Sequence, residues 1–276
     1  MQTIELCNNQ LRVQLMDFGA RIIAIRLCGQ SIHGTWQDAE SPNLVQGYQD
    51  LNDYWNDESG MGASMGPITN RISNAKLSLG DQRYRLPNNE GPNCLHSGGE
   101  GFDRRVWTLQ EQAPDYAIFG LTFNLANIGM RGQLQCQARY QLVGTELQLD
   151  YSVLTDSLSY LNLTNHVYLN LSGTQQRISD HRFNLFADQE VLLNEHCLPT
   201  GKTAPLERPI DYQLDRQDLL SQGQITSSQM YGAMDSHFIV QPELSNDWMR
   251  MASVTSSATG ISVDIYSDAP GFQLYT

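Results

Sequence analysis

The sequence predicts an all-β protein, a large antiparallel β-sandwich with few short helices, and three observations carry that prediction. Apolar residues recur with a period of two in several segments, as in strands with one buried face. Clusters of Gly, Asn, Asp and Pro separate these segments at short intervals, as turns do. Helical periodicity is weak along the whole chain.

In chain order, Leu11, Val13 and Leu15 form the first alternating run, and Ile23, Ile25 and Leu27 the second. The segment 50–57, DLNDYWND, has the length of a short helix and no more. Leu134, Cys136, Ala138, Tyr140 and Leu142 alternate with polar residues, and Leu147, Leu149, Tyr151 and Val153 repeat the pattern after Val143-Gly144-Thr145-Glu146, which predicts a hairpin. A second short helix is expected at 216–224, RQDLLSQGQ, and a second hairpin where Val254 and Ile261, Val263 and Ile265 flank the turn 256–260. No linker, repeat or low-complexity tract interrupts the pattern, so a single domain over 1–276 is expected.

A formal net charge of −13 argues against nucleic acid or an anionic membrane as partner and favours an uncharged polar small molecule. Five widely spaced cysteines without a C-x-x-C form neither a disulfide framework nor a zinc ligand set. No basic-then-apolar leader opens the chain and no apolar run approaches the roughly 18 residues of a membrane span, so a cytoplasmic location is expected. No feature speaks to the oligomeric state.

Gly62-Ala63-Ser64-Met65-Gly66 reads literally as the G-x-S-x-G elbow of a serine hydrolase. That elbow needs a strand before it, a helix after it and β/α alternation around it, none of which this chain offers. Asp235 and His237 follow in hydrolase order, but at two residues apart they share one strand face. Ser64 is therefore not expected to be a nucleophile.

Unusual residues are densest from 62 to 107, where glycines permit tight turns and Arg71, His96, Asp103 and Arg104 lie in segments that read as loops between strands. Asn70-Arg71-Ile72 is followed by GPNCLHSGGEGFDRRVW at 91–107, TNHVYLNLSG at 164–173, LPTGK at 198–202, MDSHFIV at 234–240 and DAPGFQLYT at 268–276. In this order the segments resemble the galactose mutarotase (aldose 1-epimerase) family, with Ser97 looking like an insertion in its H-G-G turn. The resemblance implies a β-supersandwich that interconverts the α and β anomers of free hexoses such as galactose and glucose, without cofactor or metal. It also implies that Arg71, His96 and Asp235 hold sugar hydroxyls and that His166 is the general acid, with His96 counted beside it in the catalytic pair. Asn70 and Tyr168, in the same motifs, are further substrate contacts.

These residue types suit the chemistry. Ring opening needs a base for the C1 hydroxyl proton and an acid for the ring oxygen, and histidine titrates near neutrality. Aspartate accepts hydroxyl bonds and arginine donates them directionally. Each residue also has a structural reading: His96 as a bond to its own turn, His166 as a satisfied core histidine, Arg71 as an ion-pair partner, Asp235 as a turn residue. A metal site from His96, His166, Asp235 and His237 has no supporting spacing, and His33, His181 and His196 read as surface or structural. The sequence departs from the family at Met65-Gly66-Pro67, where many relatives have an arginine after the glycine, and at Ser236, where a histidine is common. The family's glutamate base lies some tens of residues beyond its Y-T, whereas this sequence ends in that Y-T at Thr276. The chain is thus expected to lack the family's C-terminal segment, and no base is assigned; Glu100, near His96, has no motif support. A non-catalytic sugar-binding protein and an epimerase for a phosphorylated sugar are the competing functions, the latter needing basic residues such as Arg71, Arg104 and Arg105 around a pocket.

Overall fold

Alternation is strictest between residues 133 and 143, and there the buried side chains are Leu134, Cys136, Ala138, Tyr140 and Leu142, as the period of two requires. The structure is a computed structural model and describes residues 1–29, 41–173, 178–206, 210–213, 234–240 and 248–276. The expected helix at 216–224 and His33 lie outside these residues. Among the described residues strands dominate and helices are limited to short 3-10 turns, and the chain divides into two compact units, Met1–Gly173 and Thr174–Thr276.

In the first unit, β1 (Thr3–Cys7), β2 (Leu11–Met16) and β3 (Arg21–Leu27) form an antiparallel sheet in that order. A 3-10 turn, Leu51–Asn56, fulfils the short-helix expectation there, its first turn capped by the Asp50 carboxylate. Five short strands follow, β4 (Ser64–Met65), β5 (Arg71–Ile72), β6 (Lys76–Leu79), β7 (Gln82–Arg85) and β8 (Cys94–Leu95). Next come β9 (Thr108–Gln112), β10 (Tyr116–Asn124), β11 (Gln133–Val143) and β12 (Glu146–Thr155), which make a sheet of order β12-β11-β10-β9. Gly144, at φ +59, opens the two-residue β11–β12 connection, a conformation that side chains disfavour. The last strand of the unit, β13 (Thr164–Asn165), pairs with β4.

One core joins the two larger sheets: Leu6, Val13, Leu15 and Ile22 pack with Phe119, Phe123, Leu134 and Tyr140. Each such fully buried side chain stabilises the fold by about 1.5–3 kcal/mol relative to exposure. In β3 the fully buried apolar residues are Ile22 and Ala24, not Ile23, Ile25 and Leu27, which are partly buried. A bulge between Gln14 and Leu15 pairs Leu15 with Ile22 and shifts the register by one.

Among its described residues the second unit forms two four-stranded antiparallel sheets. One has β14 (His181–Leu185), β17 (Ile210–Gln213), β19 (Met249–Ser256) and β20 (Ser262–Ser267), in the order β17-β14-β19-β20. The other has β15 (Gln189–Leu193), β16 (Pro199–Pro205), β18 (Asp235–Ile239) and β21 (Gly271–Tyr275), in the order β16-β15-β18-β21. The β19–β20 pair is the hairpin expected around 256–260, with Val254 and Ile261 buried and Ile265 exposed. His181 is buried against Asp180 at 2.9 Å, and His196 is exposed beside Glu195, the structural and surface positions expected of them. No helix among the described residues is long and apolar enough to cross a membrane.

Candidate functional site

The segment 62–107 is not a set of plain loops. It is stitched by two-residue strands too short to show a period, and these bring the motif residues together. β5 pairs with β8, so that Arg71 stands opposite Leu95 and Ile72 opposite Cys94. The chain then turns through His96, Ser97, Gly98 and Gly99, all at positive φ from +49 to +76. Gly98 is required there twice over, by its φ of +72 and because a Cβ would fall 2.6 Å from the Pro87 Cβ. Ser97 is no mere insertion. Its buried hydroxyl accepts from the Ile68 N–H and donates to the Ile68 carbonyl, each at 3.0 Å, and so clamps the turn.

This turn fixes the chemistry of His96. The Asn70 N–H donates to His96 Nδ1 at 3.2 Å, while the His96 N–H donates to the Asn70 carbonyl at 3.2 Å. An Nδ1 that accepts leaves the proton of a neutral ring on Nε2. Burial, the adjacent His166 and the Arg71 guanidinium push its pKa down to about 3. His96 is therefore a neutral imidazole offering an Nε2–H donor across the physiological range. The bond to its own turn and a role toward a ligand are compatible, because they use different ring nitrogens.

Arg71 is an ion-pair partner, as its structural reading held, and the partner is a residue the sequence did not single out. Its Nε and Nη2 donate side-on to Glu90 Oε2 and Oε1 at 2.8 and 2.9 Å. This fork orients the guanidinium plane. Asn70, at φ +65, accepts the Arg71 N–H on its own Oδ1 at 2.8 Å.

His166 follows β13 and remains tied to the β4 segment by its backbone: its N–H donates to the Ala63 carbonyl and its carbonyl accepts from Gly62 N–H, both at 2.8 Å. Gly62 has φ +68, and a side chain there would collide with the Ile22 carbonyl. The His166 ring meets His96 edge-on at 5.5 Å between centroids and lies tilted beside Tyr168 at 5.2 Å. The Tyr168 hydroxyl donates to the Ser59 carbonyl at 3.1 Å.

Asn70, Arg71, His96, His166 and Tyr168 all belong to the first unit, where His96 joins the Asn70–Arg71 strand to His166. Asp235 belongs to the second unit and is not a turn residue, because it opens β18 opposite Tyr275. There Gln273 Nε2 donates to Asp235 Oδ1 at 2.6 Å, and Gln273 Oε1 lies 3.2 Å from His237 Nδ1, so one amide links the carboxylate and the imidazole. Burial lowers the His237 pKa, against a smaller opposing effect of Gln273. Among the described residues no three His, Cys, Asp or Glu side chains are grouped to hold a metal ion.

Ser64 is built into the core. Its hydroxyl is fully buried among the Ala20 carbonyl and the hydroxyls of Tyr140 and Tyr151, at 3.2, 3.2 and 2.9 Å. Ser64→Ala is expected to cost about 1–3 kcal/mol of stability by leaving tyrosine hydroxyls underpaired, with per-molecule activity within a few-fold of wild type. Chemical denaturation checks the first expectation. A serine-directed phosphonate checks the second reading, because stoichiometric labelling of Ser64 contradicts it.

The arginines named in the sequence are paired with carboxylates: Arg71 with Glu90, Arg104 with Asp103 and Arg105 with Glu100. This speaks against the basic cluster that a phosphorylated sugar requires.

Comparison with known proteins follows the same line. A family model described as aldose 1-epimerase matches residues 2–276. The aldose 1-epimerase of Haemophilus influenzae is 30% identical over 287 residues, which span 100% of this chain and 78% of that protein. The galactose mutarotase of Mus musculus is 28% identical over 284 residues, spanning 100% of this chain and 77% of that protein. Among solved structures, an aldose epimerase homologue from C. elegans superposes with a TM-score of 0.79 at 22% identity, covering 95% of this chain and 78% of its own. A galactose 1-epimerase from Lactobacillus acidophilus superposes with a TM-score of 0.69 at 23% identity, covering 92% of this chain and 72% of its own. The two superpositions show the fold.

Proposed function

Because this chain belongs to the aldose 1-epimerase family, we propose that His166 protonates the ring oxygen of a free hexose while His96 and Arg71 hold its hydroxyls. The protein is an isomerase that interconverts the α and β anomers of an aldose, and its partner is a monosaccharide. Galactose and glucose are the proposed substrates.

The observation that carries the division of labour is the bond from the Asn70 N–H to His96 Nδ1. It makes His96 a fixed neutral donor suited to a hydroxyl oxygen, and a ring held neutral down to about pH 3 has no proton to release near neutrality. His166, the neighbouring imidazole, is left for acid catalysis. Protonation of the ring oxygen by His166 and loss of the C1 hydroxyl proton to a base break the C1–O5 bond. The open-chain aldehyde rotates about C1–C2 and recloses with the reverse proton movements. Arg71, oriented by Glu90, presents its guanidinium to a sugar hydroxyl, and Tyr168 and Asn70 complete the contacts.

The protein is expected to accelerate the decay of optical rotation of freshly dissolved α-D-galactose or α-D-glucose. A decay at the spontaneous rate for every aldohexose tested contradicts the catalytic reading and returns the chain to the non-catalytic sugar binder, which the enzyme names of its relatives do not favour.

A further inference from the structure

A buried ion pair lies beneath the site and takes no part in the chemistry above. Arg21 Nη1 and Asp57 Oδ2 are 2.6 Å apart, and neither side chain has any exposed surface. Buried pairs seldom stabilise a fold more than apolar residues of the same volume, so the placement calls for another reason. We infer that Arg21 and Asp57 are positioning residues for the proposed acid, fixing the segment 57–63 on which His166 and Tyr168 are hydrogen-bonded. This inference rests on the function proposed above.

Asp57 is a hub. Besides Arg21, its two oxygens accept from the Tyr48 hydroxyl at 3.1 Å, the Ser59 N–H at 2.9 Å, the Ser59 hydroxyl at 2.6 Å and the Met61 N–H at 2.9 Å. Burial raises the Asp57 carboxyl pKa, but the Ser59 bonds and the Arg21 charge outweigh it and hold the group below the usual carboxylate range. Arg21 spends its other donors on the carbonyls of Phe18, Met61 and Asp103. Its guanidinium lies near the rings of Phe18 and Tyr54, at 5.3 and 5.4 Å from their centroids. Arginine at 21 thus ties β3, the 102–104 turn and the segment 57–61 to one point.

That segment in turn holds the acid. The Ser59 carbonyl receives the Tyr168 hydroxyl, the Gly62 carbonyl receives Asn165 Nδ2 at 2.9 Å, and Gly62 and Ala63 bracket the His166 backbone. These links flank His166 on both sides along the chain, at 165 and 168. A displacement of 57–63 therefore moves the imidazole relative to His96, and misplacement by about 1 Å costs on the order of 10²-fold in rate.

The test compares wild-type protein with Asp57→Asn, which keeps the shape but replaces one acceptor by a donor facing Arg21 or Met61 N–H. Folded Asp57→Asn, verified by circular dichroism, is expected to lose about tenfold or more in kcat, with a smaller change in KM and with displaced His166 imidazole 1H–15N resonances. If Asp57→Asn does not fold, Tyr48→Phe/Ser59→Ala removes only two hydroxyl bonds to the hub and is expected to lower kcat several-fold with the same spectral displacement. A folded variant with wild-type kcat and unmoved His166 resonances overturns the inference. If the wild-type protein itself leaves anomer exchange at the spontaneous rate, the proposed function falls, and the His166 resonances alone decide the positioning.

Discussion

His166→Asn is expected to lower kcat for anomer exchange by roughly 10²–10⁴-fold, the usual contribution of a general acid–base group. Asparagine retains the approximate size of the ring and an N–H donor, but it has no proton to transfer near neutral pH. The backbone bonds of residue 166 to Gly62 and Ala63 do not involve the side chain and survive the substitution. Affinity for sugar should change much less than kcat. His96→Asn provides the contrast: it takes the Nε2–H donor from its fixed position without removing a transferable proton, so its cost should fall more heavily on KM. The two rings meet at 5.5 Å, and their effects need not add. Near wild-type kcat in folded His166→Asn shows that the proton comes from another group.

The second large effect is on stability in acid. The folded protein holds His96 neutral down to about pH 3, whereas an unfolded histidine titrates near 6.5. Between these values the unfolded chain binds a proton that the folded chain does not, so stability falls as pH falls through this window. The contribution is fully present above pH 6.5 and is lost by about pH 3. One proton on one group sets a slope of at most ~1.4 kcal/mol per pH unit. Denaturant unfolding of wild-type protein and His96→Asn at a series of pH values isolates the contribution. The wild-type protein should lose its advantage, or fall further behind, as pH drops from 6.5 toward 4. A stability difference independent of pH contradicts the assignment of His96 as neutral in the folded protein.

Much of the fold was legible because long antiparallel strands with one buried face write their geometry into the sequence. β11 and β12 show it from Leu134 to Val153. Legibility failed where a local irregularity decides the register, as at the bulge that sets Ile22 in place of Ile23 opposite the buried Leu15. It also failed for β5 and β8, since two residues cannot display a period. The motif residues of the site could be named from family resemblance, but their partners could not. Glu90 sits in a polar turn, NNEGPN, that looks like any solvated loop, and only the β5–β8 pairing brings it to Arg71. Asp57 closes a 3-10 turn and Arg21 opens a strand, positions where charged residues are ordinarily exposed. Gln273 lies opposite His237 through the β18–β21 register, which the spacing of 36 residues does not reveal.

The most direct measurement of the central claim is two-dimensional exchange NMR between the C1 protons of the α and β anomers of galactose at equilibrium. Wild-type protein is expected to produce exchange cross-peaks whose rate rises in proportion to enzyme concentration, and folded His166→Asn at the same concentration is expected to abolish the increment. Exchange at the enzyme-free rate with wild-type protein, or an undiminished increment with His166→Asn, contradicts the account of this site as an anomer-exchanging centre with His166 as its acid.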